Sequence, residues 1–270
     1  MTRHEQGTQT GATVTFSQKL FMLLSACRLS HLVPTRLLQT LCLGLGLLAC
    51  TGSTDTASPS AAALQDCASL ASDPAWPYPA TIADAVARLN ALPQPVSVSC
   101  FIASLPRPLA VVPVNSVLSA QPAAGRRSPR LFIYDERLIL SIVPDGDGAN
   151  LLEFGQFVDE LNTIKGELEF PITATVSDEA PYTHVQQETG PTTCGFCHAR
   201  EVSHPTIPEA RVSVAYRPHA TTLIPLTTVR IEHVTCDHEL EPERCELLDA
   251  VFNYGSITEG TFPEALSTFN

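Results

Sequence analysis

LLEFGQFVDELNTIKGELEFPIT, residues 151–173, consists of two alternating runs joined by the polar tetrapeptide DELN. In the second run Ile164 and Leu168 share one face, whereas Lys165 and Glu167 share the other. Because successive side chains of a strand point to opposite faces, this period of two is typical of a half-buried antiparallel strand. The segment therefore predicts a β-hairpin with one apolar face and one polar face.

Several other segments are rich in β-branched and aromatic residues, and turn residues are frequent between them. Two segments instead predict helices. ATIADAVARLNAL (80–92) carries apolar residues at helical spacing, and PERCELLDAVFNYG (242–255) has a Pro near its first turn and a Gly beyond its end. We expect a mainly β fold, an antiparallel sandwich or barrel of about seven or eight strands with few short helices. The further predicted strands are VSVSCFIASL (96–105), AVVPVNSVLSA (110–120), RLFIY (130–134), RLILSIVP (137–144), RVSVAYR (211–217) and TTLIPLTTVRIEHVTC (221–236).

A long segment separates the strands that are expected to end near residue 173 and to begin near residue 211. It is rich in His, Pro, Thr and Glu and poor in aliphatic residues. A loop of this length inside a compact domain is usually functional or disordered. We therefore expect residues 174–210 to form an inserted loop, and it contains the sequence GPTTCGFCHAR (190–200).

The beginning of the chain has the pattern of an export signal. An uncharged run, LLQTLCLGLGLLA (37–49), follows Arg36 and is too short to span a bilayer. Residues 47–50, LLAC, resemble a bacterial lipobox, which implies that Cys50 is lipidated and becomes the new N-terminus. The resemblance implies an exported protein anchored in a membrane of the cell envelope, facing the periplasm or the surface. An ordinary signal peptide cleaved nearby is the alternative.

The chain is thus expected to comprise a leader (1–49), a flexible tether (50–66) and a β-rich domain (67–270). The tether is small and polar in composition, as flexible linkers are. The positive segment ahead of the apolar run is longer than a signal peptide requires, which a misassigned start codon would explain.

The charge of the chain is strongly acidic. Residues 50–270 carry 12 Arg and Lys against 27 Asp and Glu, and Lys165 is their only lysine. Such a surface repels nucleic acid, so no nucleic-acid partner is expected. It is compatible with a basic redox partner protein.

Nine cysteines occur in the chain, of which six lie beyond Cys50. An exported protein meets an oxidising compartment, so free thiols are not expected there. Local pairing gives Cys67–Cys100 and Cys236–Cys245, which we prefer among the three possible connectivities of these four cysteines. The remaining two, Cys194 and Cys197, either hold a cofactor or form a third disulfide.

The pentapeptide Cys194-Gly195-Phe196-Cys197-His198 resembles the Cys-x-x-Cys-His attachment motif of c-type cytochromes. The resemblance implies one covalent haem c, with thioether links to Cys194 and Cys197 and His198 as the proximal iron ligand. It covers five residues, and the central position of the motif differs from that in soluble cytochrome c. It implies single-electron transfer or haem sensing at the cell envelope.

The second axial ligand cannot be a methionine of the exported part, because methionine occurs only at positions 1 and 22. The alternatives are water, no ligand or a second histidine. The candidate histidines are His184, His204, His219 and His233.

Three other interpretations of the motif remain open. Cys194 and Cys197 could bind structural zinc together with Cys236 and Cys245 or with a histidine. They could form a redox-active pair of the thioredoxin kind. They could also form a plain disulfide in a haem-free surface lipoprotein that serves binding or structure. No spacing indicates a catalytic dyad or triad, so the sequence favours an electron carrier or binding protein over an enzyme.

Overall fold

The computed structural model describes residues 59–119, 121–198 and 200–269, which belong to one compact unit. The expected leader and the lipidation site Cys50 lie outside the described residues. No helix in the described ranges has the length and apolarity needed to cross a membrane.

The main element of the fold is a mixed sheet of eight strands in the order β6-β7-β5-β4-β3-β2-β1-β9. All neighbouring strands are antiparallel except β1 and β9, which are parallel. The mainly β class is confirmed, whereas the predicted sandwich or barrel is not, since this sheet is not closed. A separate pair of short parallel strands, β8 and β10, completes the β structure. The strands are β1 Leu109–Val114, β2 Arg130–Tyr134, β3 Leu138–Ile142, β4 Leu151–Phe157, β5 Asn162–Glu169, β6 Val202–Ser203, β7 Arg211–Val214, β8 Tyr216–Arg217, β9 Ile257–Glu259 and β10 Ser267–Thr268.

The described helices are all short. Helix α2 begins with a capping box in which Thr81 and Asp84 satisfy each other's backbone N–H groups. The six α-helices are α1 Pro59–Ala68, α2 Ile82–Ala91, α3 Val98–Ala103, α4 Ala180–His184, α5 Leu226–Val234 and α6 Pro242–Phe252. The 3₁₀ helices span Ser69–Ser72, Thr193–Phe196 and Ala220–Thr222.

The predicted central hairpin is confirmed as β4 and β5, paired from Leu151 opposite Glu169 to Phe157 opposite Thr163. Its apolar face, which includes Ile164 and Leu168, belongs to one core cluster with residues of α1, α2, α3 and α6. Its polar face is not simply solvated, because it forms the floor of a pocket described below.

Two predicted strands are helices in the structure. Segment 96–105 contains α3, because the Ser97 hydroxyl accepts the N–H of Cys100 and caps the helix, and every residue of α3 is buried. Segment 221–236 contains α5, which begins directly after Pro225. The first run is short and apolar, a pattern that does not distinguish a buried strand from a buried helix. The second is rich in β-branched residues, which favour strands, but its helix buries only Leu226 and Val229.

Two segments are more ordered than expected. Helix α1 begins at Pro59, inside the expected tether, so only residues 50–58 remain for a tether, and they are not described. The inserted loop 174–210 contains α4, the 3₁₀ helix Thr193–Phe196 and β6.

Both predicted disulfides are confirmed, Cys67–Cys100 and Cys236–Cys245. We expect removal of the first bond by C67A/C100A to lower the free energy of unfolding by about 4 kcal/mol, and C236A/C245A to lower it by about 3 kcal/mol. The order follows from the separations of 33 and 9 residues, because the longer closed loop restrains the unfolded chain more. Urea unfolding of the two variants measures the difference, and a larger loss in C236A/C245A would contradict the loop-entropy account.

Candidate functional site

A pocket of about 190 Å³ lies against the polar face of the sheet. Its floor is built by side chains that alternate with the core residues on β2, β3, β4 and β5, among them Phe132, Ser141, Glu153 and Lys165. The CxxCH segment, strand β8 and the C-terminal residues Phe262 and Phe269 line it from other sides. The motif and the polar strand face, far apart in sequence, are therefore brought together.

The walls of the pocket carry a cluster of aromatic rings. Phe132 and Phe262 meet edge to face with their ring centroids 5.3 Å apart, and Tyr216 and Phe269 do so at 5.7 Å. Such geometry is favourable between aromatic rings. The cluster gives the pocket flat apolar walls.

The CxxCH segment is held by a polar anchor at its start. The buried Thr192 side chain accepts the N–H of Gly195 and thereby caps the 3₁₀ helix Thr193–Phe196. The carboxylate of Glu201 accepts both the backbone N–H and the hydroxyl of Thr192. The segment therefore has a defined conformation although it lies in the long inserted loop.

His198 lies at the pocket with its ring oriented by the backbone of β7. Its Nδ1 is 2.8 Å from the carbonyl oxygen of Val214, so Nδ1 carries the proton and donates it. Burial, with a contribution from nearby Lys165, lowers the pKa of His198 to about 3, so the imidazole is neutral. Its Nε2 therefore keeps a free lone pair. A hydrogen bond from the second ring nitrogen to a carbonyl is the usual support of a metal-binding histidine.

Cys194 and Cys197 are unpaired in the structure, Cys194 half-buried and Cys197 exposed. The structure therefore has no third disulfide between these two residues. Burial, and to a lesser extent Glu153, raises the pKa of Cys194 to about 12. A redox-active CxxC pair needs a lowered thiol pKa, so this environment does not fit the thioredoxin-like interpretation.

Gly195 occupies a position where a side chain does not fit. A Cβ there would lie 2.6 Å from a Glu201 carboxylate oxygen and 2.6 Å from Pro191 Cβ. We expect Gly195→Ala to break the Glu201 anchor and to lower the thermal stability of the domain by about 1–3 kcal/mol. Gly155→Ala is the matched control, because its Cβ would meet only ordinary contacts at 3.8 and 4.0 Å. Equal melting temperatures of the two variants would contradict the anchoring role.

Most charged groups of the pocket are already paired. The guanidinium of Arg130 donates to Glu153, Ser119 and Ser141. Glu167 lies 3.0 Å from Nδ1 of His184, an interaction that joins β5 to α4. These groups hold the floor together rather than offer free charge.

The structure places the four candidate distal histidines away from the pocket lining. His184 contacts Glu167, and His204 accepts the N–H groups of Thr206 and Ile207. His219 lies 2.7 Å from the Thr221 hydroxyl, and His233 lies 2.9 Å from Asp249 and stacks on Phe252. Among the described residues that line the pocket, His198 is the only histidine.

The zinc interpretation loses two of its ligands, since Cys236 and Cys245 are bonded to each other. Within residues 59–119, 121–198 and 200–269, no three His, Cys, Asp or Glu side chains are grouped as ligands of one metal ion.

Sequence reasoning missed the floor of the pocket. The alternation of β5 indicated a polar face, but not that the loop with the motif lies over it. The only available signal was Lys165, the single lysine in a long acidic segment, next to a glycine in an otherwise regular strand.

Comparison of the chain with protein-family models, curated proteins and solved structures finds no match in any of the three.

Proposed function

We propose that this protein is an exported c-type haem protein that binds one haem covalently through Cys194 and Cys197, with His198 as the proximal ligand. The observation that carries the proposal is the position of the CxxCH segment at an aromatic pocket. Both thiols are unpaired there, and the imidazole is held by Val214 with Nε2 free.

Three features of the lining suit a haem, of which a cavity of about 190 Å³ would enclose only a part. The flat aromatic walls suit a planar apolar macrocycle. The neutral, oriented imidazole suits an iron ligand. Gly155, on the floor beside Lys165, leaves room above the strand, since a Cβ there would meet only ordinary contacts at 3.8 and 4.0 Å.

Within this proposal, the haem supplies a one-electron redox centre or a binding site for a small ligand. The protein's own groups orient the imidazole through Val214, offer apolar aromatic walls to the ligand and anchor the attachment segment through Glu201. No step requires a catalytic acid or base from the chain.

The pocket favours sensing of a small ligand over pure electron transfer. Of the described residues, no second histidine lines it, so a haem bound there would be held by His198 alone among the histidines of the lining. A haem site that is open to small molecules would suit a sensor. A redox partner remains part of the electron-transfer alternative, for which the acidic surface would favour a basic protein.

The location of the protein in the cell envelope is part of the same proposal. The leader and Cys50 support export and lipid anchoring in the cell envelope, with the domain facing the periplasm or the surface. The two disulfides are consistent with an oxidising compartment.

A denaturing gel stained for haem peroxidase activity tests the proposal. The full chain, expressed with cytochrome c maturation machinery, should give a stained band, and C194A/C197A should abolish it. C236A/C245A, which removes the same number of cysteines at the other site, should keep the stain. An unstained wild-type band would refute the proposal and favour a haem-free binding or structural lipoprotein.

A further inference from the structure

Two cations in the pocket lack the partners that buried or half-buried charges normally have. Lys165 is half-buried, and no described residue forms a hydrogen bond with its side chain or an ion pair within 4.0 Å of it. Burial lowers the pKa of Lys165 to about 8, and the more distant Glu153 and Glu201 only partly oppose this. Arg217 lines the same pocket, and its Nε is buried without an acceptor. Buried polar groups without partners are rare in folded proteins and need an explanation.

A third group at the same place is a buried hydroxyl. Thr163 is fully buried, lines the pocket, and its Oγ1 has no hydrogen-bond partner. It stands on β5 two residues before Lys165, so both side chains project from the same face of the strand. Three unsatisfied groups, two of them cationic, thus converge on one pocket.

The acidic neighbours of Lys165 do not supply the missing partner. Glu153 is engaged by Arg130, Glu167 contacts His184, and Glu201 accepts from Thr192. In a chain with a formal net charge of −12, two cations left unpaired in one pocket indicate an external anion.

We propose that Lys165 and Arg217 bind the carboxylate groups of the ligand that occupies this pocket. The aromatic rings contact its apolar body, so the ligand is a flat aromatic carboxylic acid. The inference rests on the proposed function in one respect, the source of the carboxylates. If a haem occupies the pocket, the carboxylates are its propionates. If that function is wrong, the same chemistry describes a free aromatic acid.

The test uses the full chain carrying Cys194→Ser/Cys197→Ser, which cannot attach haem covalently. The probes are metal-free protoporphyrin, which has two propionates, its dimethyl ester, and benzoate. Binding is followed by fluorescence titration for the porphyrins and by calorimetry for benzoate. We expect the diacid porphyrin to bind about tenfold or more tightly than its diester, because charge-assisted pairs are lost in the ester.

The variants locate the interaction. Lys165→Met and Arg217→Gln should each weaken binding of the diacid about tenfold and leave binding of the diester unchanged. Arg211→Gln is the matched control, since Arg211 donates to Ser203 and does not line the pocket. Melting temperatures establish that each variant folds.

Each outcome decides separately for the inference and for the proposed function. Binding of benzoate but not of porphyrin, lost in Lys165→Met, supports the carboxylate site and assigns it to a free aromatic acid, and the haem-stained gel decides separately on the haem proposal. Equal binding of diacid and diester, or binding unaffected by both substitutions, overturns the inference. The haem proposal is then still judged by the haem-stained gel. Absence of binding by all three probes also overturns it.

A second measurement applies if the haem-free variant does not fold. In haem-loaded protein, Lys165→Met removes a positive charge near the propionates and should lower the midpoint potential relative to Arg211→Gln. An unchanged potential in a folded, haem-stained variant would overturn the inference.

Discussion

Replacing His198 by alanine is expected to remove the proximal ligand and to change the Soret spectrum of the haem-loaded protein to that of an unligated or water-ligated haem. The imidazole is the only histidine ring among the described pocket residues, so no neighbouring histidine can substitute for it. Free imidazole, added at millimolar concentration, should restore the spectrum of the ligated form, because the cavity left by the ring admits it. Absorption spectroscopy measures both changes.

The matched controls are His204→Ala and His219→Ala, which remove two sequence-based distal candidates. Both rings are engaged by local backbone or hydroxyl groups, and neither lines the pocket. Their spectra should equal that of the wild type. A wild-type spectrum in His198→Ala, or a lost axial ligand in His204→Ala, would contradict the assigned ligation.

Gly155→Leu is expected to weaken ligand binding in the pocket strongly while the fold is kept. Position 155 lies on the floor, between Ile139 on β3 and Lys165 on β5. A Cβ there meets Ile139 at 3.8 Å and Lys165 Nζ at 4.0 Å, so it fits without strain. A leucine side chain extends further, into the space that a ligand would take.

The expected effect is a loss of affinity for metal-free protoporphyrin on the order of a hundredfold in the Cys194→Ser/Cys197→Ser protein. Gly155→Ala, which adds only the Cβ, should lose less than tenfold. Circular dichroism melts of both variants should agree within about 1 kcal/mol, because neither substitution touches the core face. Undiminished porphyrin binding in folded Gly155→Leu would show that the occupant lies elsewhere.

The sequence predicted local β structure well where the alternation was strict. The run from Ile164 to Glu169 has a period of two that fixes both its strand conformation and its buried face, and the structure confirms both. The helix over 82–91 was also predicted, from its apolar stripe, and the structure adds a capping box at its N-terminus.

Prediction was wrong where apolar runs carried no periodicity. All residues of α3 are buried, so its composition resembles that of a central strand, and the cap at Ser97 decides for a helix. The parallel pairing of β9 with β1 joins residues 257–259 to 109–111 and depends on tertiary packing that no local pattern records.

The candidate site was predicted only in part, for the same reason. Cys194, Cys197 and His198 follow from a motif five residues long, whereas Lys165, Gly155 and Arg217 belong to distant strands. Only the folded chain shows that these two sets line one pocket. The alternation of β5 therefore had two meanings, a solvated face or a binding surface, and the sequence could not distinguish them.

The most direct test of covalent haem attachment is the intact mass of the exported protein under denaturing conditions, compared between wild type and C194A/C197A. The comparison cancels any leader cleavage or lipidation, since both proteins are processed alike. We predict that wild type exceeds the variant by one haem plus the two sulfur atoms lost. A difference of the two sulfur atoms alone would contradict covalent haem at this site.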